Sequence, residues 1–342
     1  MNLPKVLVTG ATGFIGCHLC AELSVSGFSV RAIYRGVAPE KGGVEWYRVP
    51  GVGPETDWAG ALEGVEVVVH LAAVAHRIGI SDEQLRDAYL EVNVEGTRYL
   101  AREIARHSSV RRLVFISSIG ARISAEMERH ESEYGRSKWL AEQAVAEEMR
   151  HAPADWCVLR PCLVYGAGNP GNMARLIRLL NSGLPLPLGA IRNARSLLYV
   201  GNLTSAIRCC LGHPAAAHEI FDVSDGQALS TPELVRQLAA ALGRPSRLIN
   251  VPVVMLNRLG RLGDWIKSVT GKSVALDSSS ISKLCNSLTV DHAKLHELTG
   301  WVPPYSVDQG LELSFGSGGG TKRREPGGIA PDSKAIGQPV TQ

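Results

Sequence analysis

Tyr134 and Lys138 stand four residues apart in the run Tyr-Gly-Arg-Ser-Lys. On a helix, positions i and i+4 lie on one face, so the spacing predicts a phenol beside an ammonium. An adjacent cation lowers the pKa of a tyrosine and makes its charged form easier to reach. Taken alone the pair is weak evidence, because this spacing arises often by chance on exposed helices. It predicts acid–base chemistry only if other parts of the chain support it.

A glycine-rich turn near the start of the chain gives that support. The short apolar run 5–8 leads into Gly10, Gly13 and Gly16, and a segment with helical spacing follows. Strand, glycine turn and helix in this order is the context of a dinucleotide-binding motif. The first glycine allows the tight turn, the second lets backbone approach a pyrophosphate, and the third lets helix pack on strand. The helix start then offers free N–H groups to the phosphates, so we expect a bound dinucleotide, with a ligand-free glycine loop as the alternative.

The end of the second predicted strand, 29–35, bears on which dinucleotide binds. A carboxylate there accepts hydrogen bonds from the ribose 2′-hydroxyl and selects NAD. This chain has Tyr34 followed by Arg35, with Arg31 shortly before. A guanidinium suits bidentate phosphate recognition and could hold a 2′-phosphate. The residues favour NADP(H), with NAD(H) as the alternative, although the arginines could simply solvate the strand end.

Two serines, Ser117 and Ser118, follow a predicted strand between the glycine turn and the Tyr134/Lys138 pair. Open α/β sheets bind ligands in the crevice at the carboxyl ends of their strands. A serine at a strand end is by itself more often a turn former than a catalyst. With the turn upstream and the pair downstream, we expect a catalytic hydroxyl at this position.

Composition narrows the class of protein. The 342 residues, 45% of them hydrophobic, can bury a large core and hold two domains. A net charge of +3 gives no argument for a nucleic acid or an anionic membrane as partner. No apolar run is long enough to span a membrane and no leader sequence is recognisable, so a cytoplasmic location is expected.

The cysteines and histidines do not form a metal-site pattern. Seven cysteines, an odd number, do not indicate a disulfide framework. Residues 17–20, Cys-His-Leu-Cys, have the form of half a zinc site, but no second cysteine pair stands at ligand spacing. His70 and His76 flank another predicted strand end and could approach a cofactor. No metal is predicted.

Strand and helix signals alternate along the first half of the chain. This alternation predicts an α/β fold with a parallel sheet covered on both faces. After about residue 165 the pattern loosens into turn-rich segments, and a glycine-rich polar tail begins near residue 314. The predicted strands are 5–8, 29–35, 65–71, Arg112–Ile116 and 155–159, and the predicted helices are 92–107, 133–150 and 231–242.

These features together resemble the extended short-chain dehydrogenase/reductase superfamily, in its NAD-dependent epimerase/dehydratase branch. The resemblance implies a Rossmann-type doubly wound parallel sheet with a smaller C-terminal substrate-binding domain. It assigns 1–165 to the dinucleotide domain with 195–220 returning to it, 166–194 and 221–313 to the substrate domain, and 314–342 to a flexible tail. The matching motifs lie at 9–16, 70–73, 93–97, 117–118, 134–138, 160–166, 195–200 and 298–301.

The resemblance also implies roles for individual residues. Tyr134 is the general acid/base, Ser118 bonds the substrate oxygen, and Lys138 both lowers the pKa of Tyr134 and holds the nicotinamide ribose. Asn93 braces the active site. Arg195, assisted by Arg192, grips the diphosphate of a nucleotide sugar. The implied cofactor-binding residues are Gly10, Thr12, Gly13, Phe14, Ile15, Gly16, Tyr34, Arg35, Leu71, Ala72, Ala73, Ser117, Tyr134, Lys138 and Pro161, and the implied substrate contacts are Ser118, Tyr134, Arg192 and Arg195.

Within the branch, segments 184–189, 192–197 and 223–226 resemble bacterial UDP-sugar 4-ketoreductases of surface polysaccharide assembly, such as those that form UDP-N-acetylquinovosamine. The implied function is NADP(H)-dependent reduction of a UDP-4-keto-6-deoxy sugar at C4. An NAD-dependent UDP-glucose or UDP-N-acetylglucosamine 4-epimerase is the alternative, and a steroid- or flavonoid-type dehydrogenase is a further one. Relatives often dimerise through the helices of the Tyr and Asn motifs, which implies a homodimer.

Two departures from the family pattern bear on these expectations. Gly51 stands where relatives carry an aspartate that contacts adenine, and Asp57 lies too far along to replace it. The segment from Ser118 to Tyr134 is shorter than in most extended members, and residues 122–133 are charged and helix-prone. Both favour an alternative of another class, a non-catalytic dinucleotide-sensing regulator, although such proteins usually lose the tyrosine or the lysine.

Overall fold

The structure, a computed structural model, describes residues 3–37, 39, 42–75, 81–126, 132–169, 172–270 and 278–316. His76, residues 127–131 and the tail from residue 317 carried sequence-based predictions and lie outside the described residues. Within the described ranges no helix is long and apolar enough to cross a bilayer. No group of His, Cys, Asp and Glu side chains in these ranges is arranged to hold a metal ion.

A seven-stranded sheet forms the centre of the fold, and every neighbouring pair of its strands is parallel. Its order is β3-β2-β1-β4-β5-β6-β9, so the chain reverses its direction of travel between β1 and β4, where open sheets bind nucleotides. The strands are β1 Lys5–Thr9, β2 Ser29–Tyr34, β3 Glu45–Arg48, β4 Val67–His70, β5 Arg112–Ile116, β6 Asp155–Pro161, β7 Leu163–Tyr165, β8 Arg195–Tyr199, β9 Glu219–Val223 and β10 Ala228–Leu229.

Helices cover both faces of this sheet. The first strand shows why its sequence is apolar throughout: Val6 and Val8 pack on one face and Leu7 on the other. Burying such a side chain contributes about 1.5–3 kcal/mol. The helices are α1 Phe14–Val25, α2 Ala59–Leu62, α3 Asp82–Ala88, α4 Gly96–Arg106, α5 Ile119–Glu126, α6 Glu133–Glu148, α7 Asn172–Asn181, α8 Val200–Cys210, α9 Thr231–Ala241, α10 Val253–Thr270, α11 Ser278–Cys285, α12 Ala293–Thr299 and α13 Val307–Phe315.

The predicted α/β architecture is confirmed. Each of the five predicted strands is present within two residues of its predicted bounds, and so are the helices predicted at 133–150 and 231–242. The apolar faces explain this agreement: α1 and α8 pack on one side of the sheet, and α4 and α6 pack on the other. The period of the apolar residues was enough to locate these elements.

The helix predicted at 92–107 starts earlier than expected. Ser81 and Gln84 form a reciprocal capping box, so the chain is already helical from Asp82. It then widens into a π-helical stretch, Tyr89–Glu95, before continuing as α4. Such stretches are rare and frequently occur at functional sites. This one carries Asn93.

A second, smaller region follows the large sheet. Strands β10, β8 and β7 form a three-stranded sheet that packs with α7, α9, α10, α11 and α13 around a separate apolar core. Ser230 and Glu233 form the capping box that starts α9, with Pro232 in its first turn. β9 crosses the predicted domain boundary at residue 220 and completes the large sheet.

Candidate active site

The glycines of the turn between β1 and α1 stand where a side chain would crowd the backbone. Gly10 adopts φ +66°, and a Cβ there would lie 2.8 Å from the Ala72 amide nitrogen. A Cβ on Gly16 would overlap the Gly10 carbonyl oxygen, and one on Gly13 would lie 3.2 Å from it. Gly13 precedes α1 without a side-chain cap, so the first N–H groups of α1 are not bonded by a cap. The turn is therefore shaped to receive an anionic group on backbone N–H donors.

Gly16→Ala is expected to weaken dinucleotide binding at least tenfold and to destabilise the fold by about 1–3 kcal/mol, because the added methyl group must displace the turn. Calorimetric titration with NAD and NADP and urea unfolding measure the two effects. Gly212→Ala is the matched control, since a Cβ at Gly212 has no neighbour within 4 Å. Unchanged binding in the Gly16 variant would contradict this function of the turn.

A buried chain of hydrogen bonds ties the turn to the end of β4. The Thr9 hydroxyl accepts the N–H groups of Leu71 and Ala72, each at 3.1 Å, and donates to His70 Nδ1 at 2.7 Å. His70 Nε2 lies 3.0 Å from the Thr97 hydroxyl, which itself donates to a backbone carbonyl at 2.7 Å. Because the Thr9 hydroxyl donates to Nδ1 and the Thr97 hydroxyl has already given its proton to a carbonyl, we assign the ring proton of His70 to Nε2. Burial lowers the pKa of His70 to about 3, so the ring is neutral and positions the backbone at 71–73.

A cavity of about 160 Å³ lies at the carboxyl ends of β4, β5 and β6. It brings together the predicted catalytic side chains Ser118, Tyr134 and Lys138, which are far apart in the sequence. Close packing of α5 on α6 allows this, since a Cβ on Gly120 would lie 3.3 Å from the Gly135 Cα. The short segment between Ser118 and Tyr134 is therefore compatible with a shared site. Other predicted cofactor residues in the cavity wall are Ile15, Leu71, Ala73, Ser117 and Pro161, joined by Ile116, Cys162 and Val164.

Lys138 is buried, with 2% of its surface exposed, and its Nζ lies 4.4 Å from the centre of the Phe115 ring. Among the described residues no acceptor lies within hydrogen-bonding distance of this ammonium. Desolvation lowers the pKa of Lys138 to about 7, although the nearby Glu142 carboxylate opposes the shift. A buried ammonium that lines a cavity without a bonded partner is suited to hold the hydroxyl groups of a ligand.

Tyr134 differs from the sequence-based expectation. Lys138 was expected to lower its pKa, but burial, followed by the neighbouring Tyr89, raises the pKa of Tyr134 to about 12. The reason is that both members of the pair are desolvated, so the lysine itself holds its proton weakly. The Tyr89 ring centre lies 5.9 Å from that of Tyr134. The ammonium can lower the pKa of the phenol only when the lysine is charged.

Asn93, at the π-helical stretch, joins three elements of the site. Its Oδ1 accepts the Val74 N–H at 2.7 Å, and its Nδ2 donates to the Val74 carbonyl at 2.9 Å and to the Ser137 hydroxyl at 3.0 Å. Ser137 in turn donates to the Tyr134 carbonyl at 2.8 Å. This geometry fits the bracing role that the resemblance implied for Asn93.

Glu142 is a site residue that the sequence reasoning missed. Its carboxylate is buried, accepts a short hydrogen bond from the Ser117 hydroxyl, and pairs with both ends of the Arg160 guanidinium at 2.9 and 2.5 Å. The bridge links α6 and β6 to Ser117, which lines the cavity. The sequence contains a signal for this residue: Glu142 follows Lys138 by the same four residues that separate Lys138 from Tyr134, which places all three on one helix face.

The end of β2 provides one candidate for phosphate recognition rather than two. The Arg31 guanidinium is bonded within the protein: it donates to Glu45 at 2.9 Å and to the carbonyls of Gly60, Ala61 and Glu63. Its earlier consideration as a phosphate ligand is therefore wrong. Tyr34 packs edge-on against Trp46 with ring centres 6.2 Å apart, while Arg35 is exposed.

The two predicted diphosphate ligands lie outside the cavity wall. Arg195 begins β8, is partly buried, and lies close enough to Cys162 of the wall for the two groups to interact electrostatically. Burial lowers the pKa of Arg195, a shift that a bound anion would oppose. Arg192 is exposed, on the segment that leads to β8.

Comparison with known proteins establishes the family. Residues 6–224 match the model of the NAD dependent epimerase/dehydratase family. The chain belongs to this family. It is 36% identical over 325 residues to a UDP-glucose 4-epimerase of Vibrio cholerae, covering 91% of this chain and 94% of that protein. It is 31% identical, with the same coverage, to an N-acetyl-glucosaminyl-diphospho-undecaprenol 4-epimerase of Escherichia coli O157:H7.

Solved structures agree on the fold of this epimerase/dehydratase family member. A Bacillus cereus UDP-glucuronic acid 4-epimerase in complex with UDP-glucuronic acid and NAD matches with a TM-score of 0.69 and 20% identity, over 91% of this chain and 98% of that one. A MoeE5 structure with UDP-glucose and NAD also has a TM-score of 0.69, at 23% identity. These likenesses concern the fold. The family match and the two curated relatives identify the chain as an enzyme of the extended short-chain dehydrogenase/reductase type.

The residues of this family member fit a nicotinamide dinucleotide. The uncapped start of α1 and the glycine cradle suit its diphosphate. The buried Lys138 ammonium suits a ribose, and the apolar wall formed by Ile15, Leu71 and Pro161 suits an aromatic ring.

Proposed function

We propose that the chain is an NAD-dependent 4-epimerase acting on a sugar carried by a diphosphate. The observation that carries the proposal is the single cavity shared by Ser118, Tyr134 and Lys138 beside the dinucleotide turn. Both curated relatives named above are 4-epimerases, which supports C4 as the reacting position. They support this alternative better than the 4-ketoreductase that the sequence motifs favoured.

The chain's own residues would handle the proton at the sugar O4. When bound, a nicotinamide takes up a hydride and returns it. Tyr134 as a phenolate would remove the proton from the 4-hydroxyl and return it to the 4-keto oxygen. The Ser118 hydroxyl accepts the Gly120 N–H at 3.2 Å and keeps its own proton to donate to that oxygen. A charged Lys138 would stabilise the phenolate.

The diphosphate is the group we expect both substrate arginines to recognise. Arg195, beside the cavity wall, and Arg192 offer guanidinium groups suited to bidentate phosphate contacts. The two curated relatives differ beyond this point, because one acts on a sugar diphosphate of uridine and the other on a sugar diphosphate of a polyprenol. The common element is the sugar diphosphate itself.

A second candidate is NADPH-dependent reduction of a UDP-4-keto-6-deoxy sugar. It rests on one observation: β2 ends in Tyr34 followed by the exposed Arg35, with no carboxylate there for a ribose 2′-hydroxyl. An exposed guanidinium at that point suits a 2′-phosphate. The proposed preference for NADP(H) depends on Arg35 alone.

A paired assay separates the candidates. Purified enzyme is given UDP-glucose, UDP-N-acetylglucosamine and a polyprenyl-diphosphate-linked N-acetylglucosamine without added reductant. The products are then hydrolysed with acid, and C4 inversion is measured by chromatography of the free sugars. In parallel, NADPH oxidation is followed with a UDP-4-keto-6-deoxy sugar. We expect inversion in the first assay. Stoichiometric NADPH consumption without inversion would favour the reductase, and dinucleotide binding without turnover in either assay would favour a regulator.

The division of the chain also remains a proposal. We infer that the division follows the bounds expected from the sequence, 1–165 with 195–220 for the dinucleotide and 166–194 with 221–313 for the sugar. The exceptions are β7 and β8, which lie in the smaller sheet, and β9, which completes the large one. A homodimer through α4 and α6 is proposed on the resemblance alone.

A further inference from the structure

One surface of the C-terminal region exposes an unusual number of apolar side chains. Of the fourteen large hydrophobic side chains that are exposed among the described residues, four lie within the short stretch 249–262. A fifth, Leu184, lies two residues before Leu186, whose backbone bonds to residues 247 and 249. They form what we call the apolar patch: Leu184 (63% exposed), Ile249 (50%), Val254 (64%), Met255 (55%) and Leu262 (51%).

The segments that carry the patch adjoin one another. Leu186 pairs with the 247–249 segment, donating to the Arg247 carbonyl at 2.7 Å and accepting from the Ile249 N–H at 2.9 Å, which sets Leu184 beside that segment. α10 follows directly. Its Leu256 and Gly260 are buried against the apolar core of the smaller region, so its other side, with Val254, Met255 and Leu262, faces outward.

Four arginines accompany the patch. Arg244, Arg247, Arg258 and Arg261 are all exposed, and within the described residues none of them is paired with a carboxylate. Asp264 is the one acidic residue between 244 and 264. This stretch thus carries a charge of +3, the same as the entire chain, and the remainder of the sequence is neutral.

We propose that the apolar patch and its four arginines dock the enzyme on an anionic membrane surface. An outward apolar face flanked by arginines is the pattern of a helix that lies in the interface rather than crossing it. Each arginine near an anionic leaflet adds attraction, and the apolar side chains enter the headgroup region. A protein that docks in this way binds the membrane surface peripherally.

Docking would serve a lipid-linked substrate, and this part rests on the proposed function. The segment from Leu184 to Arg195 runs from the patch to the arginine beside Cys162 of the cavity wall. A polyprenyl chain stays in the bilayer, so an enzyme that acts on its sugar diphosphate must reach the headgroup at the surface. The substrate class is therefore a sugar diphosphate of a long-chain isoprenoid.

Vesicle sedimentation of the full chain tests the docking itself, without substrate. Vesicles of phosphatidylcholine alone are compared with vesicles that contain about 30% phosphatidylglycerol. We expect at least about tenfold tighter binding to the anionic vesicles, weakened by salt. Met255→Glu/Leu262→Glu and Arg258→Gln/Arg261→Gln are each expected to lose about tenfold of this affinity. Val302→Glu/Leu313→Glu is the matched control, since these side chains are 57% and 55% exposed away from the patch.

Each outcome of the sedimentation experiment either supports or overturns the proposed membrane docking. Failure of the unmodified chain to bind anionic vesicles overturns it, as does an equal loss in the control variant. If the chain does not bind vesicles but forms a dimer that Met255→Glu/Leu262→Glu dissociates, the patch is an interface between copies and the proposal is wrong. C4 inversion of a water-soluble UDP-sugar is measured on the same samples and is expected to be unchanged by the patch substitutions. Vesicle binding without any turnover would reject the proposed function and leave the docking supported.

Discussion

Tyr134→Phe is expected to lower kcat about 10²–10⁴-fold while dinucleotide binding is retained. In the proposed mechanism the Tyr134 phenol, which lines the cavity, exchanges a proton with the sugar O4. Removing its oxygen keeps the ring that lies 5.9 Å from the Tyr89 ring. Steady-state inversion rates and calorimetric titration with the dinucleotide measure the two quantities. Activity should also rise with pH in the unmodified enzyme, since the phenolate form is required and burial raises the pKa of Tyr134.

Tyr89→Phe is the matched control for this prediction. Its hydroxyl donates to the Ala75 carbonyl at 2.8 Å, so the substitution removes a neighbouring phenol of the same kind without removing the proton carrier. We expect less than about a tenfold change in kcat, because a single hydrogen bond of this kind contributes about 1 kcal/mol. Equal losses in both variants would mean that Tyr134 acts through packing and not through its proton.

Lys138→Met is expected to abolish most activity and yet to stabilise the nucleotide-free protein. The ammonium is buried, and its pKa of about 7 in the fold lies below its ordinary value of 10.5. The unfolded chain therefore binds this proton more tightly than the native state does. The resulting penalty is fully present below about pH 7 and is relieved as pH rises from about 7 towards 10.5. Methionine removes the charge and keeps an apolar chain over Phe115.

Urea unfolding of nucleotide-free protein at about pH 6.5 and about pH 9.5 tests this sign. The variant should exceed the unmodified protein by one to several kcal/mol, about 1.4 kcal/mol for each unit of pKa shift, at the lower pH, with a smaller gap at the higher pH. Lys294→Met is the control, because Lys294 is half exposed and paired with Glu219 at 2.6 Å. Its effect should stay within about 1 kcal/mol at both values. A Lys138 variant that is less stable at the lower pH would contradict the buried-charge account.

Stability and function are opposed at Lys138. A buried ammonium with no hydrogen-bond acceptor among the described residues destabilises the native state, and such residues persist where a ligand uses them. A dinucleotide that contacts this ammonium would raise the pKa of Lys138 again and would add its binding free energy to the fold. Tight dinucleotide binding in the unmodified protein and weaker binding in Lys138→Met follow from the same geometry.

Several parts of the fold and site were accessible from the sequence because they depend on short-range spacing. The apolar runs located the five predicted strands of the large sheet, the glycine spacing located the dinucleotide turn, and the four-residue step located Tyr134 and Lys138 on one helix. The element β9 and the early start of the helix at Asp82 were less accessible. β9 is a short strand whose place is given by β6, a partner more than fifty residues away.

The sequence by itself determined the residue types and the order of the candidate catalytic set, and its local periodicity determined the class of sheet that carries them. Only the tertiary structure decided their electrostatics and their partners. Burial by distant segments made Lys138 a weak base and Tyr134 a weak acid. It also committed Arg31 to the carbonyls near α2 and joined Glu142 to Ser117 and Arg160. Desolvation and long-range contact depend on which segments pack together, and no spacing along the chain encodes that directly.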